Sequence, residues 1–124
     1  DPKRWTPELS SLKHRCESQC QTRFNSVLAN LYRNERDSMG AHADNEPELG
    51  RQPTIASVSL GQVRELIFKH IHTGKKVTLP LASGSLLIMA GETQQFWQHA
   101  INKRRTPLGE RINLTFRLIH PTKY

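Results

Sequence analysis

The sequence predicts a mainly β fold, a double-stranded β-helix (jelly roll) with one N-terminal bracing helix. From residue 23 onward, short segments that alternate polar and apolar side chains follow one another, separated by turns that contain glycine or proline. Ahead of them lies one segment whose apolar residues recur at helical spacing. Short strands in quick succession with a single helix ahead are typical of an antiparallel sandwich or barrel, of which the jelly roll is the economical case.

Length and composition set the class of protein. With 124 residues, the chain is expected to form one domain over residues 1–124 with a substantial core. Lysine and arginine number 18 against 11 acidic residues, a net charge of +7, which favours nucleic acid, anionic membranes or acidic small molecules as partners. No apolar run approaches the roughly 20 residues of a membrane span, and no signal segment opens the chain. We therefore expect no membrane partner.

The helix is predicted from its start signal. Thr6 is a suitable cap and Pro7 suits the first helical position, and apolar residues follow at helical spacing to about Cys20. Cys16 and Cys20 lie four residues apart on this helix, and the chain has no third cysteine to complete a thiolate metal site. We interpret them as the reduced thiols of an intracellular protein.

The strands follow from a change of period to two. A first strand is predicted over Arg23–Tyr32, and the polar, turn-rich stretch Arg33–Gly50 is predicted to be a long loop, of the kind that is often functional. Six further strands are predicted: Thr54–Leu60, Arg64–His70, Lys75–Leu81, Ser85–Met89, Gln95–Ile101 and Arg111–Ile119.

The last of these strands carries an unusual polar face, because its residues alternate without a break. Its polar side chains are Arg111, Asn113, Thr115 and Arg117. In a one-layer sheet they would face water. In a closed barrel both faces are covered, and a buried arginine without an anion costs several kcal/mol. Since the planar guanidinium matches a carboxylate, we predict that this strand is one wall of a site for a small acid.

A metal site is suggested by two ligand-type residues in the long loop. His42 and Asp44 lie two positions apart and converge if the chain is locally extended. Alone this is a weak signal, so a third ligand is needed. The best candidate is His99, although an isolated histidine in an apolar strand is more often a core residue. His70 and His72 belong to a basic hairpin and are expected to be solvated. Two histidines and a carboxylate are the ligand set of non-haem Fe(II) oxygenases.

Six segments together carry a specific resemblance to a known family: Asn30–Tyr32, His42–Glu46, Ile55–Gly61, Gly84–Met89, His99 and Arg111–Arg117. In this combination the chain closely resembles the AlkB family, Fe(II)- and 2-oxoglutarate-dependent dioxygenases that repair alkylated nucleic acids. The resemblance extends over about residues 24–119 and looks closest to the DNA-repair homologues.

The resemblance implies a function and a set of site residues. The reaction would be oxidative demethylation of 1-methyladenine- or 3-methylcytosine-type bases in single- or double-stranded DNA, or in RNA, with Fe(II), 2-oxoglutarate and O2, releasing formaldehyde, succinate and CO2. The implied metal-binding and catalytic residues are His42, Asp44 and His99. Arg111 would bind the distal carboxylate of 2-oxoglutarate, and the remaining cosubstrate residues would be Asn30, Tyr32, Asn113 and Arg117.

Substrate contacts are also implied by the resemblance. Glu46, with Asn45 beside it, would bind the exocyclic amino group of the damaged base, although a loop carboxylate is otherwise expected to be solvated. The basic run Lys103–Arg105 would bind phosphate; the alternative interpretation of this run is an exposed hairpin tip. Arg64 and Lys69 are weaker candidates. A base in a duplex would have to be flipped out of the helix.

The sequence departs from the family at its start and leaves alternatives open. Family members carry a nucleotide lid upstream of the first helix, whereas only Asp1–Trp5 precede it here, so we expect the lid to be absent; Trp5 is expected to pack at the helix entry. One alternative is a dioxygenase acting on a protein side chain, lipid or small molecule. Another is a non-catalytic jelly roll that binds nucleic acid. A monomer is expected, cytoplasmic in a bacterium or nuclear in a eukaryote.

Overall fold

Two four-stranded antiparallel sheets enclose the main core of the protein. A computed structural model describes residues 5–120 of the chain. The helices are α1 (Pro7–Cys20), α2 (Thr93–Phe96) and a 3-10 turn (Pro47–Leu49). The strands are β1 (Ser26–Tyr32), β2 (Met39–His42), β3 (Ile55–Gly61), β4 (Arg64–His70), β5 (Lys76–Leu81), β6 (Ser85–Met89), β7 (Trp97–Ile101) and β8 (Arg111–Arg117).

The order of strands is that of a jelly roll. One sheet has the order β1-β8-β3-β6 and the other β2-β7-β4-β5, and all the pairs are antiparallel. The core cluster between the sheets takes Tyr32 and Ile55 from the first and Leu66, Phe68 and Ile101 from the second. The predicted mainly β fold with an N-terminal helix is confirmed. Among the described residues, no helix is long and apolar enough to cross a membrane.

Several predicted boundaries were wrong, and the first strand begins at Ser26 rather than Arg23. The stretch Arg33–Gly50 contains β2 and the 3-10 turn, because β2 is held by pairing with β7 rather than by an alternating pattern of its own. The strand predicted over Gln95–Ile101 begins only at Trp97, since α2 precedes it and the amides of Gln95 and Phe96 donate to the carbonyl of Glu92. The last strand ends at Arg117.

The helix α1 braces the outer face of the first sheet. Thr6 caps it as predicted, its hydroxyl accepting a hydrogen bond from the amide of Leu9 at 3.2 Å. Beneath the helix lies a second cluster that includes Cys16, Phe24 and Phe116. Trp5 stacks against Phe116 with 6.2 Å between ring centroids, which agrees with the packing role expected for it.

Truncating the centre of this second cluster should destabilise the fold strongly. Phe116 is fully buried, so Phe116→Ala is expected to lower the free energy of unfolding by about 3–5 kcal/mol through lost burial and a residual cavity. Ile112 lies on the same face of the same strand but is 42% exposed, and Ile112→Ala should cost only about 1 kcal/mol. Urea unfolding of both variants measures the difference; equal losses would contradict the described packing.

Gly61 lets the end of β3, just before the turn into β4, lie close to the start of the polar strand β8. It ends β3 with a φ of +94°, and a Cβ built there would lie 2.5 Å from the carbonyl oxygen of Glu110. Only glycine tolerates both conditions. The close approach holds β3 against the start of β8, where Gly61 pairs with Arg111.

Candidate functional site

A cavity between the two sheets contains all the residues predicted to hold the metal or the acid. The predicted residues that line it are Asn30, Tyr32, His42, Asp44, His99, Arg111, Asn113 and Arg117. The polar face of β8 therefore lies inside the sandwich. The alternative arrangement, in which the arginines of a one-layer sheet face water, does not apply.

The three predicted metal ligands form a cluster at one part of this cavity. His42 and His99 are directly opposite each other in the pair of β2 and β7, and Asp44 follows in the loop after β2. One ligand atom from each of the three lies within 4.8 Å of the others. The Asp44 carboxylate is 3.8 Å from Nε2 of His42 and 3.7 Å from Nε2 of His99. The arrangement can present two imidazole nitrogens and one carboxylate to a divalent cation.

A backbone contact orients the ring of His42, and burial favours the neutral, metal-binding form of His99. Nδ1 of His42 lies 2.9 Å from the carbonyl oxygen of Gly40, so we assign the proton to Nδ1, which leaves the Nε2 lone pair directed at the cluster. His99 is buried, and this burial lowers the pKa of its imidazole. The neighbouring His42 lowers that pKa further, whereas Asp44 raises it.

The guanidinium of Arg111 is buried with part of its hydrogen-bonding capacity unused. The residue is 1% exposed, and its Nη2 donates to the hydroxyl of Ser59 at 3.1 Å. Its Cζ lies 4.9 Å from the ring centroid of Tyr32. Nε and Nη1 have no acceptor among the described residues. Burial lowers the pKa of Arg111, yet arginine stays charged in proteins, so this end of the cavity fits a carboxylate.

The rest of β8 holds further donors in fixed positions. Nδ2 of Asn113 donates to the Ser57 hydroxyl at 2.7 Å, and the Thr115 hydroxyl donates to Oδ1 of Asn113 at 3.0 Å. Nε of Arg117 is buried and has no acceptor among the described residues. A cavity with histidine and carboxylate ligands in one part and unsatisfied guanidinium nitrogens in another fits a metal ion together with a small acid.

Sequence reasoning missed the serines that support this strand. Ser57 and Ser59 lie two apart on β3 and are both buried, so their hydroxyls reach Asn113 and Arg111 from the neighbouring strand. Their spacing within an otherwise apolar strand was the available signal, since polar residues two apart share one face.

The residues predicted to contact substrate lie outside the cavity. Glu46 is exposed and precedes the 3-10 turn, and Asn45 lines a neighbouring surface cleft with Arg51. Lys103, Arg104 and Arg105 are exposed in the connection between β7 and β8. Arg104 forms an ion pair with Glu65. Glu46 and the basic run are thus accessible to a large partner.

Arg64 does not have the exposed position expected for a phosphate contact. It is 2% exposed, and its guanidinium donates to the carbonyl oxygens of Asn34, Asp37 and Asn102 at 2.8–3.2 Å. A phosphate contact would require an exposed guanidinium, but two connecting segments present their carbonyls to Arg64. We therefore leave Arg64 out of any substrate interface.

This position leads to a clear expectation for Arg64→Met. The variant should lose about 3–5 kcal/mol of stability, because the three carbonyls bound by Arg64 are left without their donor. Arg105→Met, at an exposed position, should stay within about 0.5 kcal/mol of the wild type. Thermal or urea unfolding distinguishes the two. A phosphate contact would give the reverse result, an Arg64 variant of normal stability that binds nucleic acid poorly.

His70 is also less solvated than expected. Its ring stacks on Phe96 and meets the edge of Trp97, and its Nδ1 accepts hydrogen bonds from the amides of His72 and Thr73 at 3.2 Å. His72 is exposed, as predicted. His70 therefore stabilises the turn of the hairpin through these hydrogen bonds.

Comparison with known proteins assigns the class of protein that this fold and site define. Residues 1–117 match the model of the 2OG-Fe(II) oxygenase superfamily, and the chain belongs to that superfamily. The chain is similar in sequence to alkB homologues, in agreement with the resemblance of its motifs to the AlkB family. Membership implies Fe(II), 2-oxoglutarate and O2, so the cofactors predicted from the sequence are confirmed at the level of the family.

Two curated relatives indicate where in the family the chain lies. It is 44% identical over 126 residues to the alpha-ketoglutarate-dependent dioxygenase alkB homolog 3 of Homo sapiens, covering 94% of this chain and 44% of the relative. It is 45% identical over 131 residues to the DNA oxidative demethylase ALKBH2 of Mus musculus, covering 98% of this chain and 54% of the relative. The chain thus spans about half the length of these relatives.

Solved structures agree with the fold. The structure of OsALKBH1 superposes with a TM-score of 0.65 at 22% identity, covering 90% of this chain and 65% of that chain. EvdO2 from Micromonospora carbonacea var. aurantiaca gives a TM-score of 0.55 at 13% identity, covering 96% and 62%. At these identities the likeness extends to the fold alone.

Proposed function

We propose that this chain is the core of an oxidative demethylase that removes N-methyl groups from bases in DNA. The observation that carries the proposal is the single cavity in which the His42, Asp44 and His99 cluster and the partly unsatisfied guanidinium of Arg111 occur together. The dioxygenase and DNA demethylase relatives support the choice of reaction. Since DNA is the substrate, we propose an intracellular location.

Some residues of the cavity would bind the metal and the acid, and others hold those binding residues in place. His42, Asp44 and His99 would hold Fe(II), and Arg111 would bind the distal carboxylate of 2-oxoglutarate through Nε and Nη1. The ring of Tyr32 and the hydroxyl of Ser59 keep the guanidinium in place. Asn30, Asn113 and Arg117 complete the acid site, and Arg117 offers a further buried donor. The sandwich around them limits the access of water.

Bound Fe(II) and 2-oxoglutarate, with O2, would supply the oxidation of the N-methyl carbon, with succinate and CO2 as the coproducts. The hydroxymethyl group left on the base nitrogen then breaks its C–N bond, releasing formaldehyde and the unmodified base. The protein would position the damaged base, because the methyl carbon must approach the open side of the three-ligand cluster.

The exposed residues outside the cavity are the proposed substrate contacts. Glu46, with Asn45, would accept a hydrogen bond from the exocyclic amino group of 1-methyladenine or 3-methylcytosine. Lys103–Arg105 would bind phosphates, and the net charge of +7 favours approach to a polyanion. Single- and double-stranded DNA and RNA remain alternative substrates, and a duplex would require base flipping.

The test is conversion of the base itself. An oligonucleotide with one 1-methyladenine is incubated with the protein, Fe(II), 2-oxoglutarate and ascorbate in air, then digested to nucleosides for mass spectrometry. We expect adenine to replace 1-methyladenine, with no conversion when 2-oxoglutarate or Fe(II) is omitted. Parallel RNA and duplex substrates rank the alternatives. Succinate formation without base conversion would overturn the nucleic-acid substrate while retaining the oxygenase, and no succinate at all would overturn the enzyme.

A further inference from the structure

Gln94 is a buried polar side chain that reaches the proposed metal centre from α2. It is 3% exposed and lies just before the strand that carries His99. Its Oε1 accepts a hydrogen bond from the backbone amide of Asp44 at 2.8 Å. Its Nε2 lies 3.6 Å from the sulfur of Met89. Gln94 therefore joins the two segments of chain that supply the three proposed ligands.

Asp44 depends on such a contact because strand pairing does not extend to it. The described pairing of β2 with β7 ends at His42 and His99, and Asp44 lies two residues later, outside regular secondary structure. The pairing therefore aligns the two histidines but leaves the carboxylate to be oriented by its own backbone. The hydrogen bond that the backbone amide of Asp44 donates to Gln94 fixes this amide in place.

We propose that Gln94 is a positioning residue that fixes Asp44 for metal binding and so sets the affinity of the centre for its divalent cation. The inference rests on the proposed function, because it takes His42, Asp44 and His99 as the ligands. Residues that hold metal ligands in place are commonly worth about 10- to 100-fold in metal affinity. Gln94 does so through the backbone of Asp44 rather than through its carboxylate.

Four variants separate positioning from simple packing. Gln94→Met keeps the volume of the side chain but removes the acceptor, and Gln94→Asn keeps the amide but is too short to reach. Gln94→Glu restores an oxygen acceptor at full length. The matched control is Gln62→Met, since Oε1 of Gln62 accepts a bond from the amide of Gly109 at 3.0 Å but does not line the metal cavity.

The experiment measures Mn(II) binding to the whole chain, by the EPR signal of the free ion and by the rise in melting temperature on adding Mn(II). We expect the Mn(II) dissociation constant to rise about 10- to 100-fold in Gln94→Met and Gln94→Asn. It should stay near the wild-type value in Gln94→Glu and Gln62→Met. The Mn(II)-dependent gain in melting temperature should shrink only in the first two. A packing role would lower the metal-free melting temperature and leave this gain intact.

The experiment distinguishes failure of the Gln94 role from failure of the proposed metal centre. Wild-type affinity in Gln94→Asn, or in Gln94→Met, overturns the role of Gln94 and leaves the metal centre standing; if the Met variant does not fold, the Asn variant decides. A wild-type protein that does not bind Mn(II) overturns the proposed metal centre and this inference with it.

Discussion

Arg111→Met should weaken 2-oxoglutarate binding by about 100- to 4,000-fold, the equivalent of the 3–5 kcal/mol for breaking a buried ion pair. The expectation follows from Nε and Nη1 of Arg111, which are buried and have no acceptor among the described residues. A carboxylate placed there satisfies both. Equilibrium dialysis of 2-oxoglutarate in the presence of Mn(II) measures the effect.

The same substitution has a second expected result that a structural role would not produce. Without ligand, a buried charge lacking an anion is unfavourable, so the ligand-free variant should unfold at the same temperature as the wild type or higher. Arg105→Met, which changes an exposed arginine outside the cavity, is the control and should bind 2-oxoglutarate normally. Loss of stability with unchanged 2-oxoglutarate affinity would contradict the proposed role of Arg111.

Asp44→Ala should reduce succinate formation and Mn(II) affinity by more than about 100-fold, because removal of a direct ligand exceeds the loss of a residue that only orients one. Asp44 supplies the carboxylate that lies within 3.8 Å of both imidazoles. The remaining histidines would bind a divalent cation weakly. Mn(II) titration monitored by EPR and a succinate assay check both expectations.

Asp37→Ala is the matched control for Asp44→Ala. Asp37 is ion-paired with Arg33, whose hydrogen bonds lower the pKa of the Asp37 carboxyl to about 2. Asp37 does not line the cavity that contains Asp44. Its loss should leave Mn(II) affinity unchanged. If Asp37→Ala and Asp44→Ala had equal effects on metal affinity, the ligand assignment would fail.

The polar wall of the cavity could be predicted from the sequence because the pattern of β8 is local. Unbroken alternation assigns Arg111, Asn113 and Arg117 to one face whatever the rest of the fold does. The number of short strands then indicated a sandwich, in which that face is covered. His42 and Asp44 were found in the same way, from their spacing, and His99 from its place just before β8.

The remaining features depend on contacts that are distant in sequence. The strand β2 contains Gly40 and Ala41 and has no alternating pattern, so its pairing with β7 determines it. Gln94 belongs to a helix of four residues, too short to leave a periodic signal. Arg64 resembles a surface residue until two loops present their carbonyls to it. Contacts between segments that are distant in sequence cannot be predicted from a local sequence pattern.

The most direct test of the proposed reaction is the ratio of formaldehyde to succinate formed by the wild-type chain on a 1-methyladenine oligonucleotide. Each methyl group removed should release one formaldehyde and one succinate, and both should fall to background with Arg111→Met. The unmethylated oligonucleotide should give no formaldehyde. Formaldehyde released without matching succinate, or at an undiminished rate by the Arg111 variant, would contradict a demethylase that binds 2-oxoglutarate at Arg111.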